Sequence, residues 1–99
     1  MTKLTIESLV FYHERDERDF FAWLDTMAVV DAFEGHGSAL HVRLAREPTD
    51  EDLRELLAFH KRYGIEMRQL AAFRRAENET WFAAAGTYWH EAVFGSAKG

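Results

Sequence analysis

The segment from Pro48 to Gly64 carries a start signal, a body and a stop signal for one α-helix. Thr49 suits the N-cap position because its hydroxyl can accept a hydrogen bond from a first-turn amide, and Asp52 can replace the usual Glu of a capping box. Gly64 supplies the left-handed residue that ends many helices. We therefore predict a helix here. One buried face with i, i+3, i+4, i+7 spacing is formed by Leu53, Leu56, Leu57, His60 and Tyr63.

The residues before this helix predict a strand and a second helix. The segment from Leu4 to Tyr12 is predicted as a strand because apolar and polar residues alternate in its first half. Its second half, Leu9 to Tyr12, is apolar on both faces, which is typical of a strand at the centre of a sheet. A helix follows, with Asp16 as the predicted N-cap and an apolar face formed by Phe20, Trp23, Leu24 and Met27.

The remaining elements are a hairpin and a fourth strand. Residues 28–34 and 39–45 are predicted strands, and the turn between them, residues 35–38, contains two glycines. This pattern is typical of a β-hairpin. The segment from Met67 to Phe73 is short and moderately apolar, and we predict a fourth strand there.

These elements give the order β-α-β-β-α-β, the split arrangement called ferredoxin-like. Right-handed crossovers place both helices on one face of a four-stranded antiparallel sheet with strand order 4-1-3-2. The predicted fold class is therefore an α+β sandwich. We expect a single domain over residues 1–99, with a core at 3–75 and an aromatic C-terminal extension at 76–99 that forms two short helical turns broken at Gly86. The alternative is a small three-layer or barstar-like α/β arrangement without the hairpin.

Composition excludes several classes of protein. The chain has no cysteine, so it offers no disulfide, thiolate nucleophile or thiolate zinc site. No apolar run exceeds five residues, which excludes a transmembrane helix of about 20 residues. A net charge of −5 and dispersed basic residues argue against a nucleic-acid partner. The N-terminus lacks the apolar segment of a signal peptide. We expect an acidic cytoplasmic protein of bacterial type.

Histidines are the first candidates for chemistry, but their spacing predicts no metal site and no cofactor. No two of them are four residues apart, and no carboxylate completes a recognisable ligand set. His60 lies on the buried face of its helix and is predicted to be a hydrogen-bonded core residue. The five are His13, His36, His41, His60 and His90.

His41 and Arg43 are the strongest candidates for a binding site. They point away from the apolar side of the third predicted strand, and together they could hold an anion or a carboxylate. A solvated polar face, or an internal ion pair with Glu7 or Asp31, would explain them equally. Trp89 and His90 are further candidate binding residues, because a cofactor-independent oxygenase needs such side chains together with His41 in one cleft.

Two functions follow from these patterns. We favour a non-catalytic module that binds another protein or its own copy, because no catalytic set of residues is recognisable. A homodimer in which open sheet faces or C-terminal segments pack together is expected, since Leu9 to Tyr12 leaves apolar side chains on both faces. The alternative is a small-ligand-binding protein or cofactor-independent enzyme of the dimeric α+β-barrel type, which uses the open sheet face as its pocket; this alternative rests on fold analogy.

Overall fold

A computed structural model describes residues 3–7 and 11–95 of the chain. The chain forms two compact units, divided between Pro48 and Thr49. The expectation of a single domain with a core at 3–75 stays a prediction. Within the described residues, no helix is long and apolar enough to cross a membrane.

The first unit is a three-stranded antiparallel sheet with one helix. Its elements are β1 (Lys3–Glu7), α1 (Glu14–Thr26), β2 (Val30–His36) and β3 (Ala39–Leu44), and the strand order is β1-β3-β2. The strands form one apolar face because alternate residues are buried, namely Leu4, Ile6, Leu40, Val42 and Leu44. Helix α1 packs against β2.

The described part of the first predicted strand is β1, which covers Lys3–Glu7; Leu9 and Val10 lie outside the described residues. Phe11 and Tyr12 were predicted to continue the strand but are not in strand conformation. The Phe11 ring lies 5.4 Å from that of Phe20 in α1, and Tyr12 is 89% exposed. Phe11 therefore packs its apolar ring against a helix and not on a second sheet face.

The N-cap of helix α1 lies three residues before the predicted one. His13 is the N-cap, in an extended conformation, and its Nδ1 accepts a hydrogen bond from the Arg15 amide at 2.9 Å. Asp16 lies inside the first turn, where its charge is favourable near the positive end of the helix dipole. Phe20 and Leu24 form the buried face, as predicted.

The hairpin is confirmed, with a tighter turn than expected. β2 extends through Gly35 and His36, which pair with Leu40 and Ala39. Only Gly37 and Ser38 connect the strands, and Gly37 has a φ of 61° that favours glycine. The register places Glu34 opposite His41.

Helix α2 (Asp50–Tyr63) opens the second unit and confirms the prediction at both ends. Thr49 Oγ1 accepts from the Asp52 amide at 3.1 Å, and Asp52 Oδ2 accepts from the Thr49 amide at 2.9 Å. Gly64 is left-handed, with a φ of 66°. The Ile65 amide donates to the His60 carbonyl at 2.9 Å and closes the helix end.

The prediction of a fourth strand, and with it the ferredoxin-like fold, is wrong. Residues Arg68–Phe73 form a 3-10 helix, and the sheet has three strands instead of four. Met67, Leu70 and Phe73 are the buried residues of this segment, and their spacing of three matches the repeat of a 3-10 helix. Strand burial would have required alternation. The chain is thus α+β with a β1-β3-β2 sheet.

The C-terminal segment contains two short helices, α3 (Glu79–Phe82) and α4 (His90–Phe94), as predicted for this stretch. Gly86 lies between them with a φ of 96°. Helix α4 packs against the 3-10 helix.

Asn78 fixes the turn that precedes α3. Its side chain is fully buried, its Nδ2 donates to the Phe73 carbonyl at 2.9 Å, and its Oδ1 accepts from the Arg75 amide at 2.9 Å. The triplet beginning at Asn78 matches the N-glycosylation sequence. The amide nitrogen that would carry a glycan is the buried donor, so the folded chain does not present it.

Asn78→Ala should lower the free energy of unfolding by about 1–3 kcal/mol, because it leaves a buried amide and a buried carbonyl without partners. Urea denaturation measures this loss. Thr80→Ala is the matched control, since Thr80 is an exposed neighbour and should change stability by less than about 0.5 kcal/mol. Equal midpoints for the two variants would contradict the role assigned to Asn78.

Candidate functional site

The predicted site residues lie on two separate surfaces. His41 and Arg43 belong to β3 in the first unit, and Trp89 and His90 lie at the start of α4 in the second. The structure brings the members of each pair together on one surface.

The first surface is the sheet face opposite the apolar side chains, which we call the polar face. Register places its side chains in three cross-strand rows. The apolar patch expected at the centre of this face is not present among the described residues, and Leu9 and Val10 lie outside them. The polar face is formed by Lys3, Thr5, Glu7, Ala32, Glu34, His36, Ala39, His41 and Arg43.

Arg43 makes the internal ion pair that was one of its predicted alternatives. Its Nε and Nη2 both lie 2.8 Å from Asp31 Oδ2. Asp31 reaches this position because it lies in the β-bulge between Val30 and Ala32. Both side chains are about half exposed, and exposed pairs of this kind contribute only about 0.2–1 kcal/mol. The pair therefore orients Arg43, but it is too weak to prevent the guanidinium from binding a ligand as well.

Two histidines and one glutamate meet on the same face. His36 Nε2 lies 3.2 Å from Glu34 Oε2, and the His36 and His41 ring centroids are 5.4 Å apart. His41 Nδ1 is buried and has no hydrogen-bond partner in the described part of the chain. No group of three potential metal ligands was found within residues 3–7 and 11–95.

A pocket of about 210 Å³ opens on the polar face. It is possible because Ala32, directly across from Arg43, has a side chain too small to fill the space between the strands. The pocket spans all three strands and is lined by Lys3, Ala32, Phe33, Glu34, His41 and Arg43.

The second surface consists of aromatic rings with two stacked arginines. The Trp81 and Trp89 centroids are 6.1 Å apart, and the Tyr88 and Trp89 centroids 4.9 Å, both edge to face. Trp89 Nε1 donates to the Phe82 carbonyl at 2.8 Å, which fixes its indole. We call this the aromatic surface, formed by Arg54, Arg74, Trp81, Tyr88, Trp89 and Phe94.

His90 lies beside this surface, and its ring centroid is 5.5 Å from that of Phe94. Its Nδ1 and the Trp81 Nε1 are buried without a hydrogen-bond partner in the described residues. Such groups carry a desolvation penalty that native proteins rarely leave uncompensated.

Some residues of both surfaces were missed from the sequence. Arg54 lies outside the apolar spacing of α2, which gives it no role, yet its guanidinium lies 4.2 Å from the Trp81 ring centroid. No local pattern connects two residues so far apart in the chain. Lys3 and Glu34 share a face with His41 only through cross-strand registers that the sequence does not define.

His60 is structural, as predicted. It is buried, its Nδ1 lies 2.8 Å from the Leu56 carbonyl oxygen, and its Nε2 lies 3.2 Å from Gln69 Nε2. Burial lowers its pKa to about 4, and the hydrogen bond to Leu56 opposes that shift only in part. The ring is neutral at physiological pH and links α2 to the 3-10 helix.

A larger pocket of about 450 Å³ adjoins His60 at the end of α2. Its rim carries two basic and two acidic side chains, so it selects no ligand charge. Glu66 and Arg68 are themselves 3.7 Å apart as a pair. The charged rim residues are Lys61, Glu66, Arg68 and Glu91.

Comparisons with known proteins give no independent assignment of either surface. No family model matches the chain, no curated protein matches it significantly, and no solved structure does so.

Proposed function

We propose that this protein is a non-catalytic interaction module that forms a homodimer through its aromatic surface. The observation that carries the proposal is the chain of edge-to-face rings from Trp81 through Trp89 to Tyr88, which ends in a side chain that is 55% exposed. Trp, Tyr and Arg are the residues most enriched among those that dominate binding energy at protein interfaces. This surface contains all three.

The chemistry of the aromatic surface favours a second copy as the partner. In a two-fold dimer the same patch occurs on both sides, so it must be self-complementary. The surface contains both components of a cation–π contact, since Arg54 lies over Trp81 and Arg74 lies 5.4 Å from the Phe94 centroid. Each arginine could therefore meet a ring of the partner while its own ring receives the partner's arginine.

Tyr88 is positioned to act as the central contact of such a dimer. Its ring packs on Trp89 and is held by it, so little rotamer freedom is lost on binding. Desolvation raises the pKa of the Tyr88 hydroxyl above its ordinary value, which already lies well above neutral pH, and the group is a hydrogen-bond donor there. The polar face offers no comparable set of rings, which is why we place the dimer contact in the second unit.

Tyr88→Asp should weaken dimerisation by about tenfold or more, because it places a charge where the proposed dimer would bury the Tyr88 ring. Sedimentation equilibrium from low to high micromolar concentration measures this. Tyr12→Asp is the matched control, since Tyr12 is an 89% exposed tyrosine outside the surface. Its dimerisation constant should equal that of the parent. A parent that sediments as a monomer throughout, or equal effects of the two substitutions, would refute the proposal.

The second function predicted from the sequence, a small-ligand site on the sheet face, is favoured by one observation only. That observation is the pocket beside His41 and Arg43. It is independent of the dimer.

A further inference from the structure

We infer that the polar face of the first unit is a binding site for a small monocarboxylate, held between Lys3 and Arg43 with His41 as a third donor. The site is the pocket of about 210 Å³ that spans β1, β3 and β2. At roughly 30 Å³ per water molecule the pocket holds about seven waters, which limits the ligand to a small organic ion.

One basic side chain of the pocket is available to an anion. Lys3 and Arg43 are direct cross-strand partners on the same face, and like charges in that arrangement repel. Asp31 offsets one of the two positive charges through Arg43. Glu34 also lines the pocket, so the formal charges of Lys3, Arg43, Asp31 and Glu34 sum to zero. Lys3 has no ion pair among the described residues, so its charge is not compensated by a direct contact. A carboxylate between Lys3 and Arg43 would supply that contact.

The hydrogen-bonding groups of the pocket are mainly donors, so they favour a ligand that accepts hydrogen bonds. Lysine and arginine can only donate. His41 also lines the pocket, and its Nε2 can donate when that nitrogen carries the proton. The one acidic side chain in the pocket, Glu34, is directed to His36 at 3.2 Å. A carboxylate brings two acceptor oxygens to three donors.

The neighbouring acids explain why the ligand carries one charge and not two. Glu34 lines the pocket and Asp31 lies 2.8 Å from Arg43. A dianion such as phosphate above its second pKa would gain little over a monoanion from the one positive charge that lacks a direct contact, and it would be repelled more strongly by both carboxylates. A neutral isostere would lack the attraction to Lys3.

NMR titration of the ¹⁵N-labelled full chain with benzoate tests this inference, with benzamide as the neutral isostere and inorganic phosphate as the dianion. Ionic strength is held constant so that screening does not change. Benzoate should give saturable shifts at the amides of Lys3, Glu34, His41 and Arg43. Benzamide should give none at these positions, and phosphate should bind more weakly than benzoate.

Lys3→Met removes the charge that lacks a direct contact and keeps the aliphatic stem, and it should weaken benzoate binding by about fivefold. Arg15→Gln is the matched control, because Arg15 is exposed on α1 outside the pocket; it should bind benzoate like the parent. The amide spectrum of each variant shows directly that it is folded. Equal shifts with benzoate and benzamide, absence of saturation at the pocket amides, or equal affinities of the two variants would overturn the assignment.

Discussion

Leu56→Ala should lower the free energy of unfolding by about 2–5 kcal/mol, because it removes a buried side chain and leaves a cavity. Leu56 is 1% exposed on the inner face of α2, between the equally buried Leu53 and Phe59. Small domains are stable by only about 5–15 kcal/mol in total. The substitution is therefore expected to remove a large fraction of the stability, and urea denaturation measures it.

The control for Leu56→Ala must lie on the same helix and touch nothing. Lys61→Ala meets this requirement, because Lys61 is exposed near the end of α2, and its change should remain within about 0.5 kcal/mol. Arg54 is unsuitable, although its position in the sequence pattern predicts a silent outer face, because it stacks over Trp81. Indistinguishable midpoints for Leu56→Ala and Lys61→Ala would show that the inner face of α2 is assigned wrongly.

Helix α2 could be predicted in full because all of its signals are local. The capping box joins residues three positions apart, and Gly64 ends the helix through contacts with its own last turn. The hairpin was predictable for the same reason, since Gly37 and the alternation of β3 lie within a few residues of each other. The residues that determine elements of this kind lie within a few positions of one another in the sequence.

The fourth strand failed because it was inferred from topology and not from its own pattern. The ferredoxin-like fold requires a fourth strand after the second helix. The segment from Met67 to Phe73 was assigned to that strand because it follows the helix. Its buried residues are spaced by three, a repeat that the sequence already contained. Two alanines, at 71 and 72, also disfavour a strand.

Within the candidate sites, only those residues that strand alternation places on one face of the same strand could be predicted from the sequence. Alternation alone puts His41 and Arg43 on one face, and that placement agrees with the register of β3. The cross-strand neighbours Lys3 and Ala32 depend on registers that the sequence does not define. The stacking of Arg54 on Trp81 depends on how the aromatic segment returns to α2, which is a tertiary contact with no local signature.

His60 is expected to make the second unit sensitive to acid. The pKa of its ring is lowered to about 4 by burial, whereas in the unfolded chain it is about 6.5. Between these pH values the unfolded chain binds a proton that the folded chain does not, so the free energy of unfolding falls as the pH falls. The stabilisation is complete above about pH 6.5 and is lost by about pH 4.

The size of this effect follows from the two pKa values. A difference of about 2.5 pH units at about 1.4 kcal/mol per unit gives about 3 kcal/mol. Carboxylates also titrate near the lower end of this range, so the parent must be compared with a variant that lacks only the imidazole. His60→Gln should show a pH dependence between pH 7 and pH 4 that is smaller by about 3 kcal/mol, although its stability at pH 7 is lower.

His36→Gln provides the matched control, because His36 is an exposed histidine on β2, and its pH dependence should follow that of the parent closely. Urea denaturation at a series of pH values gives all three curves, and NMR titration of the imidazole reports the His60 pKa directly. That pKa should lie near 4, since Nδ1 already donates to Leu56 and a second proton on Nε2 would face the amide nitrogen of Gln69. A His60 pKa near 6.5 in the folded protein, or parallel curves for the parent and His60→Gln, would show that the ring reaches water and does not link α2 to the 3-10 helix as a buried neutral group.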